Sequence, residues 1–458
     1  MRIKLDYPLS INEICLATGA IAGNEVKKSD LVHHICTDTR ECQKGDLFIA
    51  LCGEKDSGEK YVIDAINKKC FVISSTCSPY VIQVNNTADA LLDIARHHKS
   101  KTKIKYTVAV TGSVGKSTTV RFISKILNQH YVAHSPIGNY NNHIGLPLTV
   151  LSAKRNTEVL IVELGMNHKN EISRLSKCVS PDIGIITAIG TSHIGNLGSR
   201  KKIAEAKLEI RDGMNQGLLL LPYGEPLLSN QEDGMYVALN SALSDFSLNT
   251  TESDGMLFSS PYGKMKIKRP HDLPSHLLTN LAFAISSAEL LNLSKDEINK
   301  GVDAITSYDL SQRFIRLGDF TIFDDSYNAS LESVTADLEY ISTFSCPKGA
   351  FLGDVLELGE EADMIHKSIG HTAARLMIDR LYLYGKYASL TAQGAIEAGM
   401  DSNQIFVNSD LSSPEISISH IKNNHLRNEI ILFKASHKLK LDKIADRITK
   451  EEGITNDG

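Results

Sequence analysis

Two glycines and a lysine, set between an apolar run and a helical run, are the residues of this sequence best suited to bind an anion. They lie in TGSVGKSTT at 111–119, directly after the strand-like run YTVAV at 106–110. Backbone N–H groups from Gly112 to Lys116 can point inward, the helix start adds positive potential, and the lysine supplies a mobile charge. The usual phosphate-loop pattern GxxxxGK[ST] has a glycine where this chain has Val110. The stretch predicts a shortened phosphate-binding loop, with a chance glycine turn as the alternative.

Four further side chains could act near this loop. Ser117 is placed to coordinate a phosphate-bound Mg²⁺. Glu163 ends the run VLIVE, where a carboxylate can hold a hard cation, although an acidic loop residue is the alternative. His193 follows IITAIGTS, and a lone histidine is usually structural. Lys207 lies in KIAEAKLEI, an amphipathic helical run in which a lysine is ordinarily a solvated surface charge.

Length and composition exclude several classes of protein. The chain has 458 residues, too many for one core, and its 42% hydrophobic and 22% charged content is typical of a soluble globular protein. A formal net charge of −5 gives no electrostatic reason to expect nucleic acid as a partner. The N-terminal MRIKLDYPLS has no apolar core, and the longest apolar run, GLLLL before Pro222, cannot span a bilayer. We therefore expect a cytoplasmic protein without a signal peptide or membrane insertion.

Eight cysteines are scattered along the chain, six of them before residue 80, and no two form a CxxC pair. Cys36, Cys42 and Cys52 are near one another in sequence, but their spacing matches no zinc site. We expect buried, reduced thiols.

The pattern of strands and helices indicates an α/β fold in three segments. Residues 1–85 carry strand-like runs at 47–51, 70–74 and 80–84. A helix is predicted at 87–99, with Thr87 as its N-cap.

Runs typical of buried parallel strands follow in the second segment, and a helical run at 276–291 is expected to close it. Those runs are YTVAV at 106–110, EVLIVELG at 158–165 and DIGIITAIG at 182–190. A third alternation begins near 313, with strands in FTIFDD, GAFLGD, RLYLYG, QIFVN and EIILFKAS. Strands separated by helices predict doubly wound sheets, which bind ligands at the carboxyl ends of their strands.

Motifs along nearly the whole chain resemble those of one enzyme family. They are TGSVGKSTT, YNNHIGLPLTVL, VELGMNHKNEISRLS, PDIGIITAIGTSHI, AEAKLEI, DDSYNAS, GDVLELGEEADMIHKSIG and KASHKLKLDKI. In this order they resemble the Mur ligase family, the ATP-dependent amino-acid ligases that build the peptide of peptidoglycan precursors. The phosphate loop of that family also lacks the first glycine. DDSYNAS and GDVLELGEEADMIHKSIG are most similar to the branch that adds D-alanyl-D-alanine to UDP-N-acetylmuramoyl-tripeptide.

The resemblance implies three domains. They are a small N-terminal α/β domain at 1–85 that binds the UDP-sugar, a central ATP-binding domain with a parallel sheet at 86–312, and a C-terminal Rossmann-like domain at 313–458 that receives the amine substrate. The run TDTR at 37–40, with GDLFIAL after it, looks like part of the family's uridine-nucleotide domain.

The resemblance also implies roles for single residues. The implied substrate-binding residues are Thr37, Asp38, Thr39, Arg40, Asn141 and Asn142. The implied ATP-binding residues are Thr111, Gly112, Ser113, Val114, Gly115, Lys116, Ser117, Thr118, Asn280, Arg313, Asp325, Tyr327 and Asn328. The implied ligands of two Mg²⁺ ions are Ser117, Glu163, His193 and Lys207, and the implied catalytic residues are Lys116, His193 and Lys207. In the family the lysine matching Lys207 is carbamylated by CO₂, which gives it an oxygen that can bind Mg²⁺ where an ammonium could not.

Three positions depart from the family pattern, and two other functions stay open. The departures are Pro274-Ser275-His276 for Gly-x-His, Ser330-Leu331 for Asn-Pro, and Lys434-Ala435-Ser436 for Lys-Gly-Ser. The second and third fall in the domain expected to receive the amine, so a ligase that joins another amino acid or dipeptide to a carboxylate is one alternative. The other is a nucleotide-binding regulatory paralogue without ligation, which would be expected to lack Lys116, Glu163 or Lys207. We expect the protein to act as a monomer on small-molecule substrates.

Overall fold

Three β-sheets follow one another along the chain, and helices flank each of them. The computed structural model describes residues 1–53, 56–136, 138–251, 255–270, 273–306, 309 and 312–451. We call each sheet with its helices the first, the central and the third unit. The arrangement confirms the predicted α/β class with three units. Residues 452–458 of the predicted third domain lie outside the described residues.

The first unit is a six-stranded sheet with two short helices. Its strands are β1 Arg2–Ser10, β2 Ile21–Ala22, β3 Leu31–Cys36, β4 Leu47–Ile49, β5 Phe71–Ser74 and β6 Val81–Gln83, and its helices are α1 Ile11–Thr18 and α2 Val62–Asn67. The strand order is β1-β3-β4-β5-β6-β2, with β3 to β6 parallel and an antiparallel strand at each edge. The predicted strand runs form β4, β5 and β6, which confirms them.

The central unit carries a nine-stranded sheet. Its strands are β7 Tyr106–Thr111, β8 Ala133–His134, β9 Val159–Glu163, β10 Ile183–Ile186, β11 Leu218–Pro222, β12 Gly234–Leu239, β13 Phe246–Thr250, β14 Gly255–Ser260 and β15 Gly263–Lys268. Its helices are α3 Thr87–Ser100, α4 Lys116–Leu127, α5 Gly145–Leu151, α6 Glu171–Val179, α7 Ile194–Leu197, α8 Arg200–Leu208, α9 Leu278–Leu290 and α10 Lys295–Asp303. The strand order is β15-β14-β13-β12-β11-β10-β7-β9-β8, parallel from β8 to β13 and antiparallel beyond.

The third unit is a six-stranded sheet that begins with one antiparallel strand. Its strands are β16 Arg313–Leu317, β17 Phe320–Asp324, β18 Lys348–Gly353, β19 Arg380–Tyr384, β20 Ile405–Asn408 and β21 Glu429–Lys434. Its helices are α11 Leu331–Ser342, α12 Ala362–Arg375, α13 Ala388–Glu397, α14 Pro414–Asn424 and α15 Leu441–Glu451. The order is β16-β17-β21-β18-β19-β20, and only β16 runs antiparallel to its neighbour. The five predicted strands form β17 to β21, while β16 was not predicted.

Two local predictions were wrong. The N-cap of α3 is Asn86 rather than Thr87, because the Asn86 side chain accepts hydrogen bonds from the amides of Ala88 and Asp89. The helical run at 276–291 does not close the central unit, because α10 follows α9 and packs against α4. Ser294 starts α10 with a capping box to Glu297.

The helix α9 lies in the core of the central unit and is buried on almost every side. It packs against α4 and against β12 and β13, and its long apolar run reflects this double contact. Within the part of the chain that the structure describes, no helix combines the length and the apolar character needed to cross a membrane.

The burial of α9 predicts a large loss of stability on truncation of its aromatic residue. Phe283 is 0% exposed within the core of the central unit. We expect Phe283→Ala to lower the free energy of unfolding by about 3–5 kcal/mol, because it leaves a cavity that neighbours cannot fill. Urea unfolding followed by far-UV circular dichroism measures the change. Leu243→Ala is the control, since Leu243 is 83% exposed and its truncation should cost less than about 0.5 kcal/mol; equal losses in the two variants would contradict the assigned core.

Candidate active site

A cavity of about 850 Å³ lies at the carboxyl edge of the central sheet, where all three units contribute lining residues. Its volume is within the range of ligand pockets. The predicted site residues that line it are Gly112, Ser113, Val114, Gly115, Lys116, Ser117, Thr118, Asn141, Asn142, Glu163, His193, Lys207, Asn280, Asp325, Tyr327 and Asn328. The predicted residues outside this lining are Thr37, Asp38, Thr39, Arg40, Thr111 and Arg313.

The phosphate-type loop joins β7 to α4, and its two glycines are required by close contacts. Gly112 and Gly115 both have positive φ angles, of 151° and 81°. A Cβ on Gly112 would lie 1.9 Å from Thr187 Oγ1, and one on Gly115 would lie 2.2 Å from Asn280 Nδ2. The same two neighbours hold the loop, because Thr187 Oγ1 donates to the Val114 carbonyl at 2.5 Å and Asn280 Nδ2 donates to the Gly115 carbonyl at 3.0 Å. Any larger residue would displace the loop.

Glu163 lies directly beside the loop at the end of β9. Its side chain is 4% exposed, and Ser117 Oγ donates to its Oε2 at 2.6 Å while Asn141 Nδ2 donates to its Oε1 at 2.8 Å. Lys116 Nζ donates to the Gly112 carbonyl at 2.9 Å, so its charge lies over the loop. The parallel pairing of β7 with β9 brings these groups together, since both strands end at this edge. The alternative interpretation, in which Glu163 is an acidic residue of an exposed loop, is therefore wrong.

Lys207 is buried inside the molecule rather than solvated. It lies near the end of α8 and is only 2% exposed. Burial lowers its pKa well below the ordinary 10.5, and the nearby charge of Lys116 lowers it further, while Glu163 opposes the shift. The neutral amine is therefore favoured, which is the form that reacts with CO₂.

His193 reaches the cavity from the loop before α7 and touches the third unit. Its Nδ1 lies 2.6 Å from Oε2 of Glu357, at ion-pair distance, although the ring N–H does not point straight at the carboxylate in this conformation. The contact with His193 lowers the pKa of the Glu357 carboxyl, against the opposing effect of burial. A histidine held at one ring nitrogen keeps the other free for a ligand.

The third unit presents a buried polar cluster to the same cavity. Lys434, at the end of β21, contacts the carboxylates of Asp325 and Asp337, the latter at 2.9 Å. Gln312 Nε2 lies 2.9 Å from Asp337 Oδ1 and 3.1 Å from His276 Nε2. Burial alone would lower the pKa of Lys434, but the two nearby carboxylates outweigh burial and raise this pKa. Burial also raises the pKa of Asp337 well above its ordinary value. Burial lowers the pKa of His276 to about 4.

Of the remaining predicted residues of the third unit, two line the cavity and one does not. Tyr327 and Asn328 line the cavity, and burial and the charge of Glu163 raise the pKa of the Tyr327 phenol. Arg313 lies on β16, where its guanidinium binds Asp324 at 2.5 Å and lies 3.6 Å from Asp446. The structure thus holds Arg313 within the third unit, away from the cavity.

The run TDTR follows β3 in the first unit. Asp38 accepts hydrogen bonds from the amide and the guanidinium of Arg40, and that contact lowers its pKa. The carbonyl of Thr39 accepts a bond from Lys68 Nζ at 2.6 Å, and the amide of Thr37 donates to the carbonyl of Met1 at 3.0 Å.

The first unit reaches the cavity through the segment after β4, with Cys52 and Gly53 in the lining. Cys36 and Cys42 are buried free thiols, as predicted, but Cys52 and Cys77 are exposed, so the prediction that the thiols are buried was wrong for these two. Cys52 is exposed because it lies in the loop between β4 and α2 rather than in a strand.

The departures from the family pattern are accommodated locally. Ser330 caps the start of α11 by accepting a bond from the amide of Ser333. Ala435 is fully buried, and a Cβ on Gly353 would lie only 2.7 Å from its methyl group. A residue larger than glycine at 353 would therefore collide with the side chain of Ala435.

The side chains near the loop fit a hard cation in their chemistry. Among the described residues, no three His, Cys, Asp or Glu side chains converge as in a site built from those residues alone. Mg²⁺ instead usually takes one or two carboxylates, waters and substrate phosphates. The buried carboxylate of Glu163 with Ser117, and the buried amine of Lys207, fit such a set if the amine is carbamylated.

The phosphate-type loop lies at the carboxyl edge of a parallel sheet and faces a second α/β unit across a cavity. This arrangement is typical of a nucleotide-dependent enzyme whose chain folds into several α/β units. The Mur ligase middle domain family matches residues 110–288. UDP-N-acetylmuramoyl-tripeptide–D-alanyl-D-alanine ligase of Bacillus subtilis is 32% identical over 443 residues, which cover 94% of this chain and 95% of the relative. The ligase of the same name from Rickettsia prowazekii is 28% identical and covers 93% and 97%.

Solved structures agree in fold. A crystal structure of MurF from Acinetobacter baumannii has a TM-score of 0.87 at 24% identity and covers 98% of this chain and 100% of its own. MurF ligase from Thermotoga maritima in complex with ADP has a TM-score of 0.80 at 22% identity and covers 92% and 97%. The chain belongs to the Mur ligase family and is a ligase.

Sequence reasoning missed several residues that line the cavity. Thr187 carries a weak signal, because it ends the run DIGIIT and so reaches the carboxyl edge of β10. Lys434 likewise ends the strand EIILFK. Glu332, Asp337 and Gln312 line the cavity through contacts between distant segments, and no local pattern indicates them.

The buried amine of Lys207 predicts a pH-dependent gain in stability on its replacement. In CO₂-free buffer, Lys207→Met should raise the free energy of unfolding at neutral pH by about 1–3 kcal/mol, since it removes the cost of burying an ammonium or of deprotonating it on folding. The folded-state pKa is lowered, so the cost is complete below that pKa and disappears as the pH approaches the unfolded value of 10.5. Urea midpoints at pH 7 and pH 10.5 measure the trend. Lys201→Met, at an exposed position of the same helix, is the control, and a gain for Lys207→Met that does not depend on pH would exclude the shift.

Proposed function

We propose that the protein is an ATP-dependent ligase that adds D-alanyl-D-alanine to UDP-N-acetylmuramoyl-tripeptide in peptidoglycan precursor synthesis. One observation carries the proposal: the phosphate-type loop, the carboxylate of Glu163 and the buried amine of Lys207 meet in a cavity that the third unit covers with polar groups. The names of the relatives that align over nearly the whole chain support the choice of substrates.

In this proposal the triphosphate of ATP lies on the loop between β7 and α4. Backbone amides from Gly112 onward and the start of α4 provide the positive potential, and Lys116 provides a full charge. The two Mg²⁺ ions would be held by Ser117, Glu163, His193 and carbamylated Lys207. When bound, these ions would neutralise the negative charge that gathers between the two reacting anions. The third unit closes on the nucleotide through Asp325, Tyr327 and Asn328.

The reaction needs an activated carboxylate, because a free carboxylate is a poor electrophile. The terminal carboxylate of the tripeptide attacks the γ-phosphate of ATP and gives an acyl phosphate and ADP. The amine of D-alanyl-D-alanine then attacks the acyl carbon and expels phosphate. Lys116 stabilises the charge that develops during transfer, and the covering third unit excludes water that would hydrolyse the acyl phosphate.

The units correspond to separate binding tasks in this proposal. Residues 1–85 bind the UDP-sugar with Thr37 to Arg40, residues 86–312 bind ATP, and residues 313–458 receive the amine. Asn141 and Asn142 contact the substrate that carries the carboxylate. Arg313 acts on the nucleotide only if closure moves it from Asp324. We propose that the ligase works as a monomer in the cytoplasm, where nucleotide-linked precursors and ATP are found.

A related ligase with a different amine substrate is the second candidate. Ser330, at one of the departures from the family pattern, lines the cavity on the side of the third unit. A changed residue at that surface can change which amine fits without changing the chemistry at the loop.

The release of ADP tests the proposal directly. With ATP, Mg²⁺ and UDP-N-acetylmuramoyl-tripeptide, we expect ADP release to rise at least tenfold when D-alanyl-D-alanine is added. Coupled spectrophotometry measures ADP, and mass spectrometry measures the pentapeptide product. Other amino acids and dipeptides are tested in parallel, and turnover with one of these alone would favour the second candidate.

Lys116→Ala is the loss-of-function variant for that assay. Lys116→Ala removes the mobile cation of the loop, which is proposed to stabilise the charge of the transition state. Turnover should fall at least a hundredfold, since a loss of about 2.7 kcal/mol of such stabilisation corresponds to a factor of one hundred. The fold should be kept, since Lys116 is partly exposed and its ammonium donates to a backbone carbonyl, that of Gly112, rather than to a buried carboxylate. Near-normal turnover in a folded variant would refute the assignment of the loop.

Carbamylation of Lys207 gives a separate prediction. Lys207→Ala should be nearly inactive, and a short carboxylic acid added to the buffer should restore part of the turnover by occupying the vacated space. Bicarbonate should stimulate the wild-type enzyme but not this variant. Turnover with and without the acid is the measurement.

Lys207→Arg is the matched control, because a guanidinium keeps the length and charge but cannot become a metal ligand. We expect neither activity nor rescue from it. Wild-type turnover in Lys207→Ala, or failure of the acid to rescue while ATP still binds, would exclude the role in metal binding.

A further inference from the structure

Two carboxylates of the third unit hold one loop of the central unit. This loop runs from Gly190 to His193, and α7 begins directly after it at Ile194. Glu332, in the first turn of α11, accepts a hydrogen bond from the amide of Thr191 at 2.7 Å and one from its hydroxyl at 3.3 Å. Glu357, in the loop between β18 and α12, lies 2.6 Å from Nδ1 of His193. Glu332 thus holds Thr191 by its amide and hydroxyl, whereas Glu357 contacts the imidazole of His193.

The contact at His193 is built into the backbone of both units. His193 and Glu357 both adopt left-handed conformations, with φ angles of 64° and 66°. Non-glycine residues adopt such conformations at a cost, and they keep them where the surroundings require it. The amide of Gly195 donates to the carbonyl of Glu357 at 3.0 Å, and a Cβ on Gly195 would lie 2.6 Å from the amide nitrogen of Gly359. The two loops therefore approach as closely as glycine permits.

We propose that Glu357 is the positioning residue for His193, and that it holds the imidazole with Nδ1 protonated and Nε2 free for the metal. A small rotation of the ring aligns its N–H with the carboxylate. Histidines that bind metals commonly donate their other ring N–H to a carboxylate, which selects the tautomer and orients the ring. The inference rests on the proposed function, in which His193 is a Mg²⁺ ligand.

The pairing has a consequence for the order of events, because its two members belong to different units. When the third unit closes, Glu357 reaches His193 and the imidazole is oriented. When it opens, the histidine loses its partner and both tautomers become available. Metal affinity at this position is therefore coupled to closure, and by linkage the metal must favour the closed arrangement.

Glu357→Ala and Glu332→Ala separate orientation of the histidine from simple contact between units. Both remove a third-unit carboxylate from the same loop, but only Glu357 touches the imidazole. The first readout is the tautomer of His193 in the metal-free protein, from ¹⁵N chemical shifts of histidine-labelled samples, with the signal assigned by His193→Gln. The second is the dissociation constant of Mn²⁺, measured by electron paramagnetic resonance with a non-hydrolysable ATP analogue bound.

We expect Glu357→Ala to abolish the preference for the Nδ1–H tautomer and to weaken Mn²⁺ binding about 10- to 100-fold. Glu332→Ala should leave the tautomer unchanged. Glu357→Gln keeps an acceptor oxygen and should keep the tautomer and most of the affinity. If Glu357→Ala changes neither readout while His193→Ala weakens Mn²⁺ binding, the positioning role is overturned and the metal role of His193 stands. If His193→Ala also has no effect, the metal role proposed for His193 is overturned together with this inference.

Discussion

The buried amine of Lys207 lies under the opposing electrostatic influence of Lys116 and of the buried carboxylate of Glu163, and the rest of the site depends on this balance of charge. Glu163 carries one negative charge, so it cannot balance two cations, and its oxygens also accept hydrogen bonds from Ser117 and Asn141. A buried ammonium is costly, and burial lowers the pKa of Lys207, which favours its neutral form. The site therefore favours an anion, such as a phosphate group, over the loop, and a neutral amine at Lys207 is the form that the proposed carbamate requires.

The central sheet brings these groups together through its strand order. β9 and β8 lie on one side of β7, whereas β10 to β13 lie on the other, so the connections leave β7 in opposite directions. A crevice forms where the connections of a parallel sheet diverge, and ligands bind there. The loop after β7, Glu163 after β9 and Thr187 after β10 all open into that crevice. The topology thus accounts for a site assembled from segments far apart in sequence.

Local patterns were enough for the parts of the structure that local forces determine. The glycine loop, the strand end at Glu163 and the strands β17 to β21 of the third unit could be predicted, because each is a short run with its own pattern. The burial of Lys207 could not be predicted from its amphipathic helix, since it depends on which neighbours cover α8. The cluster around Lys434 and the contact between His193 and Glu357 arise from packing between units, and no short run carries a signal for them. The capping of α3 by Asn86 rather than Thr87 differed by one residue, because both side chains can cap.

The balance of charge in the cavity limits what can bind there. Its lining has five basic side chains, Lys116, Arg121, Arg174, Lys207 and Lys434, and five acidic ones, Glu163, Glu171, Asp325, Glu332 and Asp337. These formal charges balance, and burial shifts the pKa of Lys207 downward and the pKa of Asp337 upward, toward the neutral form of each side chain. A nucleoside triphosphate adds several negative charges between the basic loop and the acidic face of the third unit. Closure of that face onto the nucleotide would then be repulsive unless divalent cations enter with it. In the proposed reaction, the carboxylates of the third unit would therefore favour closure over a nucleotide that carries its divalent cations.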